Sequence, residues 1–439
     1  MGSRRGAIAL TWAVLLAGNL SVGGQSQGAG APRLESVIAE AVQSSAELAA
    51  LRERIAEAEA LVRPVGALPA PMASVAVSNV PVWGVELDRT PMSGVEVGLS
   101  QGVPAVAKRR LRRQVQREEI AALRARYEDR RTDLVRAVKQ AYIEVQYLDA
   151  ALAIAEESTR LAEDFLATAE ARYATGKGIQ QDVFRAQVRL SRMVSMAADL
   201  RQHRARAATR LNTLLYRPVD ERVPPLPAVR KSAVSPAAEA LGARAEDGNA
   251  RLKEARIRVG QGGMREKLAA VGVRPDLRLG LSYRFRRSVP MDPARGEDFW
   301  SASVGVSLPW IYRRDTVDQE VKAAEARRSA AELEAAAIRN AVMGRIEELV
   351  VELVREDEQI ALLETGLLPQ AEGALVSSRA AYATGQVEIL TLLDNQMNLY
   401  SLELQRLRLI ADHERDVSEL EYLVGGPLGT DAEVTGVPD

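Results

Sequence analysis

The chain has 439 residues and no cysteine. That excludes a disulfide framework, a thiolate metal site and a lipidated N-terminal Cys. Histidine occurs only as His203 and His413, which leaves little for a metal centre or a His-dependent triad. Aromatics make up 4%, lean for a globular core. Neither sign of charge dominates: 58 Lys and Arg stand against 59 Asp and Glu, so no nucleic-acid partner is indicated. After the N-terminus no segment holds the ~18 consecutive apolar residues of a transmembrane helix, so a membrane role would require a β-barrel. Gly260-Gln261-Gly262-Gly263 is glycine-rich but follows no strand and lacks the Lys-Ser/Thr ending of a phosphate loop. Glu347-Glu348 and Asp357-Glu358 read as solvated helix faces. No nucleophile–base pair stands out. The sequence predicts no enzyme, no cofactor and no metal site.

What the chain has in quantity is Ala, Leu, Glu and Arg, the composition of long helices and coiled coils. Residues 105–175 contain neither Gly nor Pro. As one helix, at 1.5 Å per residue, that stretch spans about 105 Å. Leu134, Val138, Tyr142, Val145, Leu148, Leu152 and Ala155 recur at helical spacing and form a narrow apolar seam. Gly176-Lys177-Gly178 ends the run, and a return helix is expected over residues 179–217. The pattern then repeats. Tyr173-Ala174-Thr175-Gly176 returns as Tyr382-Ala383-Thr384-Gly385, an offset of 382 − 173 = 209 residues. Leu211, Leu214 and Pro218 match Leu420, Leu423 and Pro427 at the same offset. A chain built twice from one unit points to architecture rather than to a single cleft. In the second unit a helix is expected from about Arg313 to Thr384, with a kink near Gly366–Gly373. Shorter helices near Leu34–Val62 and Pro236–Ala270 open the two units.

Between the short and long helices the period changes to two. Leu277, Leu279, Leu281, Tyr283 and Phe285 alternate with Arg278, Gly280, Ser282 and Arg284. Trp300, Ala302, Val304, Val306 and Leu308 alternate with Ser301, Ser303, Gly305 and Ser307. Val95, Val97, Leu99 and Val103 do the same in the first unit, and Ala73–Val80 is a weaker fourth strand. Strands of about 9–11 residues with one apolar face suit a transmembrane barrel, although alternation alone favours a soluble sandwich hairpin. Residues 81–91 and 287–298 read as exposed polar loops. Trp83, Trp300, Trp310 and Tyr312 fall near strand ends, where an interfacial belt would place them. Four strands cannot close a barrel, so a membrane reading needs several subunits, and three copies give twelve strands.

The N-terminus has Arg4-Arg5 followed by a short apolar run, Ala7–Ala17, and a possible cleavage site at Ala29-Gly30-Ala31. It reads as a secretory signal over residues 1–31, by ordinary secretion rather than the twin-Arg route. The expected layout is then a first repeat over 32–218 (hairpin about 72–103), a linker over 219–235, a second repeat over 236–427 (hairpin about 275–309) and a tail over 428–439.

Signal, helix, hairpin, long helix, tight turn and return helix, twice over, resembles the TolC-like outer-membrane factor family. The resemblance covers residues from about Leu34 to Pro427. Its markers are the paired Tyr-Ala-Thr-Gly turns, Asp182-Val183 with Gln187, Leu393-Asp394 with Gln396, and the Leu-Asn-x-Leu-Leu ending at Leu211–Leu215. The resemblance implies a mainly α fold with a small β part. It implies a homotrimer whose twelve-stranded β-barrel sits in outer-membrane lipid on a periplasmic α-helical barrel. It also implies a passive conduit that docks a periplasmic adaptor and an inner-membrane pump of the RND type. Tyr173, Gly176, Tyr382 and Gly385 would then mark the adaptor-contact turns. Asp394 matches an acid that lines the periplasmic entrance, and Thr391 stands where a second acid is common. Tyr382 matches a tyrosine that helps hold the entrance closed, and Asp182 an acid of the same network. The basic partner found two residues after the second turn glycine is replaced by Val387. Leu68–Met72 and Pro91-Met92 resemble the metal-ion efflux branch. The competing reading is a soluble periplasmic coiled-coil scaffold or adaptor, which explains the helices and the signal but explains the four alternating strands less well.

Overall fold

The structure, a computed structural model, describes residues 32–428 apart from 81, 83, 85, 89, 235, 236 and 313. The expected export signal, Trp83 and the tail beyond 428 lie outside the described residues.

Each repeat opens with a helix broken by a capping residue. α1 (Leu34–Ser44) meets α2 (Ala46–Ala60) at Ser45, whose Oγ accepts from Leu48 N. A one-turn helix, α3 (Val62–Val65), follows. In the second repeat α6 (Ala238–Gly248) meets α7 (Ala250–Ala270) at Asn249, whose Oδ1 accepts from Leu252 N. Asn249 also donates to Leu423 O at 2.9 Å. The single opening helix expected in each unit is thus two helices, because a polar side chain at each joint satisfies the new helix start.

The long helices match their sequence pattern closely. α4 (Val106–Ala174) is 69 residues, and α5 (Gln180–Leu214) runs back beside its lower half. α9 (Arg314–Leu362) continues through a π turn (Leu363–Leu367) into α10 (Leu368–Thr384), and α11 (Ile389–Val424) returns. The expected kink is this π turn, slightly earlier than Gly366–Gly373. Pro369 lacks an N–H and would clash with the carbonyl one turn back, so the helix widens just before it. Gly344 and Gly373 pass without a break.

The two repeats build two matching cores. Val37, Ala41, Val138, Val145 and Leu211 are buried together in the first, and Leu241, Ala245, Val342, Leu349 and Leu420 in the second. Leu211 and Leu215 of the Leu-Asn-x-Leu-Leu segment close the first core, and Asn212 Nδ2 donates to Glu221 O at 2.7 Å. That marker is structural.

β1 (Met72–Ser78), β2 (Gly94–Val103), β3 (Leu277–Arg286) and β4 (Phe299–Val306) form one antiparallel sheet in that order. A short helix, α8 (Pro309–Tyr312), follows β4 and carries Trp310. The register carries each face across all four strands. Val75 lies opposite Val97, Val97 opposite Tyr283, and Tyr283 opposite Trp300. One residue along, Ser74, Gly98, Ser282 and Ser301 align in the same way on the other face. Glu96 and Arg284 pair across strands at 2.8 Å on this polar face. The apolar face stands open, with Val75 72% and Trp300 71% exposed in the single chain. β1 and β4 are unpaired edges. The loop at 287–298 is mostly exposed, as expected, but Val289 and Asp292 turn inward. Asp292 takes Arg286 into an ion pair at 2.9 Å with both side chains buried, and Arg286 also donates to Pro91 O, tying the two hairpin loops together.

Candidate functional site

The far end of the helices from the sheet holds two near-identical turns. α4 ends at Gly176 with φ 68°, and α10 at Gly385 with φ 81°. Only glycine takes this left-handed conformation without strain. The same pair of backbone bonds closes each turn: Gly176 N to Tyr173 O and Lys177 N to Arg172 O in one, Gly385 N to Tyr382 O and Gln386 N to Ala381 O in the other. Gly176, Lys177, Gly385 and Gln386 are all exposed at the tip.

The two tyrosines of the repeat have opposite fates. Tyr173 is 49% exposed, whereas Tyr382 is 2% exposed and packs with Phe165, Ala169, Ala186, Leu375 and Ile389. Val387, standing two residues after the second turn glycine in place of a basic partner, joins the same apolar cluster. The cation comes instead from the other turn. The Arg172 guanidinium lies over the Tyr382 ring, 4.9 Å from its centroid. It donates to Tyr382 O, to Ala383 O at 3.0 Å, and to Lys177 O of its own turn at 3.0 Å. Burial first, and then the nearby Asp182 carboxylate, push the Tyr382 phenol up. Asp182 sits half-buried in the first turn of α5. The buried Tyr382 hydroxyl has no hydrogen-bond partner among the described residues, so Asp182 acts on it through charge rather than a bond.

Thr391 and Asp394 are exposed one turn apart on α11, and Asn398 continues that polar face. Leu392, Leu393 and Gln396 turn inward; Gln396 Nε2 donates to Ser158 O at 2.7 Å and ties α11 to α4. Asp394 meets Arg189 of α5 at 3.4 Å, with the carboxylate 63% and the guanidinium 12% exposed. Burial lowers the Arg189 pKa and the Asp394 charge opposes that shift. Arg172 and Arg189 were not singled out from sequence. An Arg in the last turn of a helix is ordinary complementation of the helix dipole, and one more Arg on a polar face carries no signal.

The structure thus gathers Tyr382, Gly385, Asp182 and Arg172 into one contact between the hairpins. Thr391 and Asp394 lie beyond it on α11, and Tyr173 and Gly176 sit outside on the first tip. Leu68–Met72 leads into β1 and Pro91-Met92 lies at the opposite end of the sheet, so these two segments form no common site. Among the described residues no group of three His, Cys, Asp or Glu side chains could hold a metal ion. No helix there is long and apolar enough to cross a membrane.

A family model described as outer membrane efflux protein matches residues 37–215 and 241–426. A comparison with curated protein sequences finds no match. Among solved structures, the outer-membrane channel OprN aligns at TM-score 0.75 and 18% identity, covering 90% of each chain. The outer membrane protein VceC from Vibrio cholerae aligns at TM-score 0.75 and 19% identity, covering 90% of this chain and 96% of its own. CusC, described for its folding and transmembrane channel formation, aligns at TM-score 0.74 and 18% identity, covering 90% of this chain and 92% of its own. These likenesses show the fold. The family model, which spans both repeats, establishes that the chain belongs to the outer membrane efflux protein family, as the outer-membrane channel of a tripartite efflux system with its helices in the periplasm.

Proposed function

We propose that three copies of the chain close one twelve-stranded barrel in the outer membrane and one helical tunnel beneath it. The observation that carries this is the sheet itself: four strands, one continuous apolar face, and two unpaired edges at β1 and β4. Unpaired edges cannot sit in lipid, so each must pair with the edge of another copy. Exposed apolar side chains on the long helices support the same assembly. Phe184 and Val188 lie one turn apart on α5, and Val351, Leu362 and Val376 lie on α9–α10, all more than half exposed in the single chain. Monomeric proteins rarely leave such extended apolar faces uncovered.

In this reading the tunnel is a passive conduit and the energy comes from an inner-membrane pump of the RND type. The tips at Tyr173, Gly176 and Gly385 meet the periplasmic adaptor. Asp394, with Thr391 beside it, lines the entrance, where three carboxylates around an axis favour cations. Thr391 adds no second charge, and Arg189 partly offsets the first. Tyr382 and Asp182 belong to the contact that keeps the entrance closed. The test is the mass of the protein extracted by detergent from outer-membrane fractions. A salt-resistant trimer is expected. A salt-extractable monomer or coiled-coil dimer would remove the shared barrel and return the scaffold reading.

A further inference from the structure

The contact between the two turns is one-sided. Arg172 belongs to the first hairpin, yet most of what it holds belongs to the second. Its guanidinium donates to two carbonyls in the last turn of α10, at Tyr382 and Ala383, and stacks on the Tyr382 ring. A bond to Lys177 O anchors it to its own turn. The fit is close: a Cβ on Gly385 would stand 3.0 Å from Arg172 Nη2. Carbonyls at a helix C-terminus carry partial negative charge and lack helical donors, so a planar cation with several N–H groups suits them. No equivalent reaches back, because Ala381 stands in the second turn where Arg172 stands in the first.

We propose that Arg172 is a latch that holds the second hairpin against the first, and that opening the entrance requires its release. α10–α11 cannot swing away from α4–α5 without breaking the stacking and both carbonyl bonds together. The latch acts on the hairpin that carries Asp394, so its release moves the entrance residue. The proposal rests on the reading of the tips as the entrance, and the two are separable by experiment.

The chain has no cysteine, so Gln180→Cys and Gln386→Cys can carry spin labels without background. Both sites are exposed and flank the contact. A doubly labelled chain is diluted into unlabelled chain and the distance between labels is measured in the assembled protein. Single-channel conductance of the same assemblies is recorded in planar bilayers. Arg172→Ala is expected to lengthen or broaden the distance distribution and to raise the open fraction about tenfold, the scale set by losing charged hydrogen bonds from one of two states. Arg172→Lys keeps the charge but not the fork, and should fall between the two. An unchanged label distance in Arg172→Ala overturns the latch. A changed distance with unchanged conductance keeps the latch and removes the entrance reading. If Arg172→Ala does not assemble, Arg172→Lys decides: wild-type distance and conductance overturn the proposal.

Discussion

Glu356 is the one carboxylate of α9 buried almost completely in the packed helices, with its residue 2% exposed. Asp412 and Asp416 of α11 raise its pKa further, while His413 and Arg355 oppose them. Burial is the largest cause, and together these push its carboxyl from 4.5 to about 7. A folded-state pKa above the unfolded one means the folded chain prefers the protonated form. The associated stability is fully present below the ordinary pKa and is lost as pH rises through about 7. A shift of this size corresponds to about 3 kcal/mol per chain between the two limits, at ~1.4 kcal/mol per unit. Asp416, raised to about 6 by burial and by Glu352 and Glu419, adds to the slope with the same sign. Glu356→Gln mimics the protonated side chain without changing its shape. The variant should therefore match wild type near pH 4, below the ordinary pKa, and exceed it by roughly 2–3 kcal/mol at pH 8. Unfolding of the detergent-solubilised protein, followed by helical circular dichroism across that range, reads this directly. Parallel pH profiles for wild type and Glu356→Gln would refute the reasoning.

Asp394→Asn should reduce cation selectivity and block by divalent or trivalent cations in planar bilayers, and Arg189→Gln should increase both by freeing the carboxylate. Unchanged selectivity in Asp394→Asn would remove the anionic ring. Gly385→Ala should destabilise more than Gly176→Ala: each costs ~1–2 kcal/mol for a left-handed non-glycine residue, but only the first also presses on Arg172. Equal thermal shifts in the two variants would contradict this. Leu349→Ala, at a fully buried position of the second core, should cost about 2–5 kcal/mol in chemical unfolding.

The elements that one helix face or one strand face defines were legible in the sequence. The seam of α4 lies where its period places it, with Val138, Tyr142, Val145 and Leu148 buried, because a long helix without Gly or Pro has one way to present them. The strands follow their alternation to within two residues at either end, and the cross-sheet register then follows from keeping one face apolar. What the sequence did not show depends on contacts between distant segments. The joints at Ser45 and Asn249 look like any polar residue in a helical run. The buried Arg286–Asp292 pair sits in a stretch that reads as polar loop. Arg172 is one Arg among many until α10 is seen beside it.

The largest hidden difference lies between the repeats themselves. Val145 and Leu349 are matching core positions at a spacing of 349 − 145 = 204 residues, yet Leu211 and Leu420 match at 420 − 211 = 209. The second repeat therefore carries five more residues between its upper core and its turn. Added to a regular α-helix, five residues rotate every later side chain by about 140°, which would turn the apolar stripe below them off its partners. The π turn at Leu363–Leu367 lies within that interval and takes up one residue of the excess, which leaves close to one whole turn and a rotation of about 40°. The inward stripe is thereby kept, with Leu363, Leu368, Ala371 and Leu375 buried. The two tips are not carried through this adjustment unchanged. Tyr382 is drawn inward and Tyr173 left outward, although the same three residues, Ala-Thr-Gly, follow each in sequence. One duplicated turn has become two surfaces, a sealed contact under Arg172 and an exposed tip.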